Sequence, residues 1–218
     1  MNKHTLESAP SILNTNVNCD IWDFRRAREL EDRRVYLYGE ILPLDSDDSF
    51  YADASIASFI VEQIINCNRI DEGMDPTERE PIRLYINSPG GDVTEGFALI
   101  SAMELSKTPI YTVNMGQWSS MAFLIGIAGH KRFSLPKASF LMHDGSIFLY
   151  GTANKVKDRV EFENRVEDEV VKPFVLEHSR MSEEEYDKLD RKEFYMLAKD
   201  ALEYGFIDEV IAELDAIF

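Results

Sequence analysis

Twice between residues 82 and 129, a short β-rich run passes through a glycine-containing turn into a stretch of helical periodicity. The first time it is Ile82-Arg83-Leu84-Tyr85-Ile86, then Asn87-Ser88-Pro89-Gly90-Gly91-Asp92. Val93, Phe97, Ile100 and Leu105 follow at helical spacing until Pro109. The second time it is a strand over residues 110–114, a glycine turn over 116–120, and an apolar helix that ends near Gly129. Strand, turn and helix in this alternation predict βαβ units around a buried parallel sheet. Loops at the carboxyl ends of such strands gather into one crevice, so both glycine turns face it.

The flanking sequence extends the α/β pattern. A first strand is expected over residues 35–38, ended by Gly39, with an acidic loop over 43–53. Ile56, Phe59, Ile60 and Ile64 recur at the spacing of an amphipathic helix over residues 52–67. Past Gly129, a strand over 139–142 ends at His143, and an apolar segment over 147–151 reads as extended, hinged at Gly145 and Gly151. The longest helical pattern covers 154–178, and Pro173 should kink or interrupt it, because proline lacks the N–H that the helix needs. A helix over 182–189 opens on the capping pair Ser182 and Glu185. A last helix over 197–204 stops at Gly205, and 207–211 is a candidate strand. Residues 1–20 show little periodicity and read as a flexible arm, leaving residues 21–218 as one domain.

Composition removes several classes of function. The longest apolar run, residues 121–128, is far short of the ~20 residues that cross a bilayer, and no apolar leader signals secretion. Cys19 and Cys67 fit free thiols in a reducing cytosol, so the expected location is cytoplasmic. A net charge of −17 without a basic face argues against nucleic acid as a partner and reads as solubility. The spacings of a metal site, a phosphate-binding Gly-x-x-x-x-Gly-Lys-[Ser/Thr] loop and a Gly-x-Ser-x-Gly elbow are all absent, so no metal or cofactor is expected in this chain.

The chemistry-bearing residues stand at strand ends. Ser119 or Ser120 opens the apolar helix, where unpaired N–H groups favour an anion; either is a nucleophile candidate or simply an N-cap. His4 lies in the arm, His130 in a basic turn and His178 at a helix end. His143 closes an apolar strand at the crevice edge, as a base or as a structural histidine.

Four blocks carry a resemblance: Leu84-Tyr85-Ile86-Asn87-Ser88-Pro89-Gly90-Gly91, Met115-Gly116-Gln117-Trp118-Ser119-Ser120-Met121, Lys131-Arg132-Phe133-Ser134-Leu135-Pro136, and Met142-His143. In order and spacing, over residues 35–210, the chain resembles the proteolytic subunit of the Clp protease. The resemblance implies a Clp/crotonase-type spiral of ββα units with a protruding helix-plus-strand handle at about residues 145–178. It implies Ser120 as nucleophile, His143 as base, and an oxyanion hole from the N–H groups of Gly91 and Met121. Counted back from the matching Tyr195 and Gly205, the family's catalytic Asp falls on Glu193; Asp190 is the alternative acid. Gly145 stands where the family commonly has Pro. The implied function is a serine endopeptidase that hydrolyses unfolded proteins or peptides inside a chamber of stacked heptameric rings. An AAA+ Clp ATPase would feed it, with ATP used there. Other readings are a silent ring subunit of a mixed assembly, a phage-type maturation protease, and an acyl-CoA enzyme of the crotonase branch.

Overall fold

The computed structural model describes Arg28 and residues 31–43, 55–145, 149–189 and 192–217. The expected arm over residues 1–20, nearly all of the acidic loop and Asp190 lie outside these. The strands are β1 (Arg34–Tyr38), β2 (Ile82–Ser88), β3 (Ile110–Ser119), β4 (Lys131–Ser134), β5 (Ser139–Met142), β6 (Phe194–Leu197) and β7 (Glu209–Val210). A parallel array runs in the order β1-β2-β3-β4-β7; β5 joins β3 in parallel, and β6 pairs antiparallel with β5.

Alternation along the strands sorts side chains to the two faces. Val35, Leu37, Leu84 and Ile86 point toward α1 (Ile56–Ile70), α2 (Val93–Glu104) and α3 (Met121–Ile127), which supply Ile60, Leu99, Met103 and Phe123 to the main core. Each such side chain contributes roughly 1.5–3 kcal/mol by leaving water. On the opposite face a smaller cluster of Tyr85, Val113, Phe133, Ile211 and Ile217 is closed by the 3-10 turn Leu214–Ile217, to which the Tyr85 hydroxyl donates at 2.7 Å.

Polar contacts fix the ends of α1. Ser55 caps its start and, with Ser58, donates to the buried carboxylate of Glu95 in the first turn of α2, so one anion serves two positive helix ends. At its far end the buried Asp71 takes two bonds from Arg33, at 2.6 and 2.8 Å, and one from the Thr108 hydroxyl at 2.8 Å. The Arg33 guanidinium, followed by Thr108, holds the Asp71 carboxyl below the usual carboxylate range.

The structure departs from the sequence expectations over β3 and around residues 149–151, β4 and β6, and it interrupts the long helix just ahead of Pro173 as expected. β3 does not end at Asn114 in a glycine turn but runs on to Ser119. Its Tyr111–Asn114 half pairs with β4, and Gln117–Ser119 passes to β5, with a bulge against β2 between Ile86 and Ser88. Gly116 serves close approach instead of a turn, since a Cβ there would lie 2.6 Å from Asn87 Oδ1. The long helix is three pieces: α4 (Ala153–Val166), a π-helical turn (Glu167–Val171) and α5 (Lys172–Glu177). The Lys172 N–H reaches back to Glu167 O, which widens the turn just ahead of Pro173. Finally, residues 149–151 of the expected extended segment join no strand, whereas β4 and β6 form where no strand was expected. The remaining helices are α6 (Glu183–Leu189), opened by the expected Ser182–Glu185 capping bonds, and α7 (Ala198–Glu203), followed by Gly205 at φ 77°. Among the described residues, no helix is long and apolar enough to cross a membrane.

Candidate active site

β3 and β5 run parallel, with Ser119 beside Leu141, and β5 and β6 run antiparallel, with Met142 beside Phe194. Ser120 follows the end of β3, His143 follows the end of β5, and Glu193 precedes the start of β6. All three therefore sit at one edge of the sheet. Ser120 and His143 are half-buried, and Glu193 is exposed.

Ser120 has φ 54° and ψ −127°, a conformation that normally belongs to glycine. Packing on both sides holds it. Its N–H donates to Leu141 O at 2.9 Å, and its C=O accepts from Phe123 N at 2.9 Å. Beyond it, α3 lies so close on the fully buried Trp118 that a Cβ on Gly126 would be 2.3 Å from the indole ring. Such a backbone costs about 1–3 kcal/mol, and the strand-to-helix reversal that it allows leaves the serine at the lip. Ser120 occupies the N-cap position of α3, yet its hydroxyl makes no capping bond. The N-cap alternative thus leaves the side chain without its usual task.

The Pro89-Gly90-Gly91 turn closes over this point. A Cβ on Gly90 would fall 2.6 Å from Ser119 O and 3.0 Å from Met121 N, and one on Gly91 would fall 2.1 Å from Ile41 O. Only glycine admits both approaches, and both residues have positive φ, 96° and 144°. Ile41 N–H donates to Gly90 O at 2.8 Å, and Asp92 N–H donates to Ile41 O at 2.7 Å. Between them, among the described residues, the N–H of Gly91 meets no protein acceptor, and neither does that of Met121 at the start of α3. Two unsatisfied backbone donors beside a serine make a lip suited to an anion.

His143 and Glu193, the expected base and acid, are engaged elsewhere. His143 Nδ1 accepts from Gly145 N–H at 3.1 Å, which leaves the proton of the neutral ring on Nε2. Glu193 Oε2 accepts from the Tyr195 hydroxyl at 2.9 Å, and that bond raises the phenol above its ordinary range. Among the described residues, no hydrogen bond joins Ser120 to His143 or His143 to Glu193.

A family model described as Clp protease matches residues 51–214. The chain belongs to the Clp protease family. It is thus a serine peptidase of the Clp type, in a mixed α/β fold compatible with that of the family. Ser120, His143, Gly91, Met121 and Glu193 all lie within the matched span of this Clp protease, and the lip beside Ser120 suits acyl transfer. Sequence reasoning missed Tyr195 as a partner of Glu193. The available signal was their i, i+2 spacing, which puts both on one face of a strand.

Proposed function

We propose that the chain is an endopeptidase in which Ser120 attacks the scissile carbonyl, His143 is the general base, Glu193 orients the imidazole, and Gly91 and Met121 N–H receive the oxyanion. The observation that carries this reading is the uncapped Ser120 hydroxyl beside those two unpartnered donors. Attack requires His143 Nε2 to accept the serine proton, so Nδ1 must carry the ring proton. His143 must therefore leave Gly145 N–H, shift its proton to Nδ1 and turn that nitrogen to Glu193. Each oxyanion donor then contributes about 2.7–4 kcal/mol to the transition state.

Substrates are unfolded proteins or peptides, and the working form is a chamber of stacked heptameric rings of ββα spirals. Residues 145–178 form the ring-to-ring handle, and an AAA+ Clp ATPase feeds the chamber in the cytoplasm. Support for the handle comes from α4, which buries no residue within the single chain while Val160 and Phe162 are exposed. Contact with other copies would give these side chains a reason to be apolar.

The bond between Gly145 and His143 also favours a second reading, a catalytically silent ring subunit. Fluorophosphonate labelling and hydrolysis of a fluorogenic peptide separate the two. An active subunit takes the label and loses it with Ser120→Ala. Failure of the assembled wild type to label or hydrolyse would establish the silent subunit instead.

A further inference from the structure

The β5–β6 ladder places a further residue at the site, on the understanding that Glu193 is the acid of the proposed peptidase. Leu141 pairs with Tyr195 and Met142 with Phe194, so His143 and Glu193 stand opposite each other one step beyond the last pair. Alternation sends Met142 and Met196 into the core. It sends Leu141, His143, Glu193 and Tyr195 to the other face, where Tyr195 lies diagonal to His143. The Tyr195 side chain is 64% exposed, yet its hydroxyl is committed to Glu193 Oε2 at 2.9 Å.

A Glu reaches one methylene further than an Asp and has one more torsion to fix. An exposed Glu at a ladder end would spread over many rotamers unless something held it. We propose that Tyr195 is a positioning residue for the proteolytic reaction. Its phenol hydroxyl fixes Glu193 at the end of the ladder, so that the second carboxylate oxygen is presented to His143 Nδ1–H once the ring leaves Gly145. A carboxylate accepts at both oxygens, so the two bonds do not compete. Because the bond to Glu193 makes Tyr195 harder to ionise, the phenol remains a donor across the neutral range.

The test uses the assembled full-length protein with Tyr195→Phe, Glu193→Ala and the double variant. Fluorogenic-peptide kcat and KM are read alongside the rate at which a fluorophosphonate labels Ser120. Phe keeps the ring at the position paired with Leu141, and equal denaturation midpoints check that the fold is unaltered. Tyr195→Phe is expected to lower kcat and labelling rate about three- to tenfold, the range of one solvent-exposed hydrogen bond, with KM within about twofold. In the Glu193→Ala background the same substitution is expected to change neither rate. An unchanged Tyr195→Phe, or an equal loss in both backgrounds, would overturn the role of Tyr195 while leaving the peptidase intact. A wild type that takes no label at any pH would overturn the peptidase reading and this role together.

Discussion

Replacing Ser120 by glycine should remove activity and strengthen the fold at once, whereas replacing it by alanine should remove activity alone. The reason is the backbone at φ 54° and ψ −127°, which penalises any Cβ. Alanine retains that atom; glycine does not. The penalty is about 1–3 kcal/mol, and glycine returns about 0.5–1 kcal/mol through its freer unfolded chain. The Ser120→Gly protein should therefore exceed the Ser120→Ala protein in stability by about 0.5–2 kcal/mol, or about 1–8 °C in midpoint for a domain of this size. Urea titrations and thermal scans of the two inactive variants at equal protomer concentration give the difference directly, since both lack the hydroxyl. If Ser120→Gly is no more stable than Ser120→Ala, the backbone at this residue carries no stored strain.

Three other contacts carry further outcomes. Gly126→Ala should cost about 1–3 kcal/mol, because its Cβ would meet the Trp118 ring at 2.3 Å; equilibrium denaturation with Trp fluorescence reads it. Gly91→Ala should slow fluorophosphonate labelling of Ser120 by about 10²-fold or more, since a Cβ 2.1 Å from Ile41 O must displace the adjacent N–H donor. Asp71→Ala should cost about 3 kcal/mol by leaving the half-buried Arg33 with only the exposed Glu80 carboxylate, 4.0 Å away, as its anion. The Asp71 carboxyl lies lower in the folded than in the unfolded chain, so its contribution is fully present above the unfolded value near about 3.9 and is lost as pH falls through the folded value. Wild type should therefore lose stability in acid more steeply than Asp71→Asn, as measured by midpoints between pH 6 and 3.

Local pattern carried much of this structure. The spacing of Ile56, Phe59, Ile60 and Ile64 is that of one helix face, and three of these side chains are buried on the sheet. The strand-turn-helix order likewise brought Gly91, Ser120 and His143 to one edge, because parallel strands end together. What stayed hidden depends on partners distant in the chain. Gly116 looks like a turn until β3 is seen passing from β4 to β5, a change set by residues further along. β6 has only Met196 deeply buried, and it becomes a strand by pairing with β5 some fifty residues earlier. The bond from Gly145 to His143 depends on side-chain rotation, which no spacing rule reaches.

The division of β3 between two partners gives the site a fixed side and an adjustable side. Ile82–Ile86 of β2 and Lys131–Ser134 of β4 grip the first half of β3, under the main core. Along β3, β5 is held by the short Gln117–Ser119 ladder and by the Asn114 side chain, which donates to Ser139 O at 2.9 Å. Amide hydrogens around 139–143 and 194–197 should therefore exchange with solvent sooner than those of β1, β2 and early β3. Ser120 sits where the two parts meet, since it follows β3 and its N–H donates to Leu141 O of β5, whereas His143 and Glu193 sit on the fast-opening part. Ordering β5 and β6 would then act directly on His143 and Glu193, and on Ser120 through its one bond to Leu141 O.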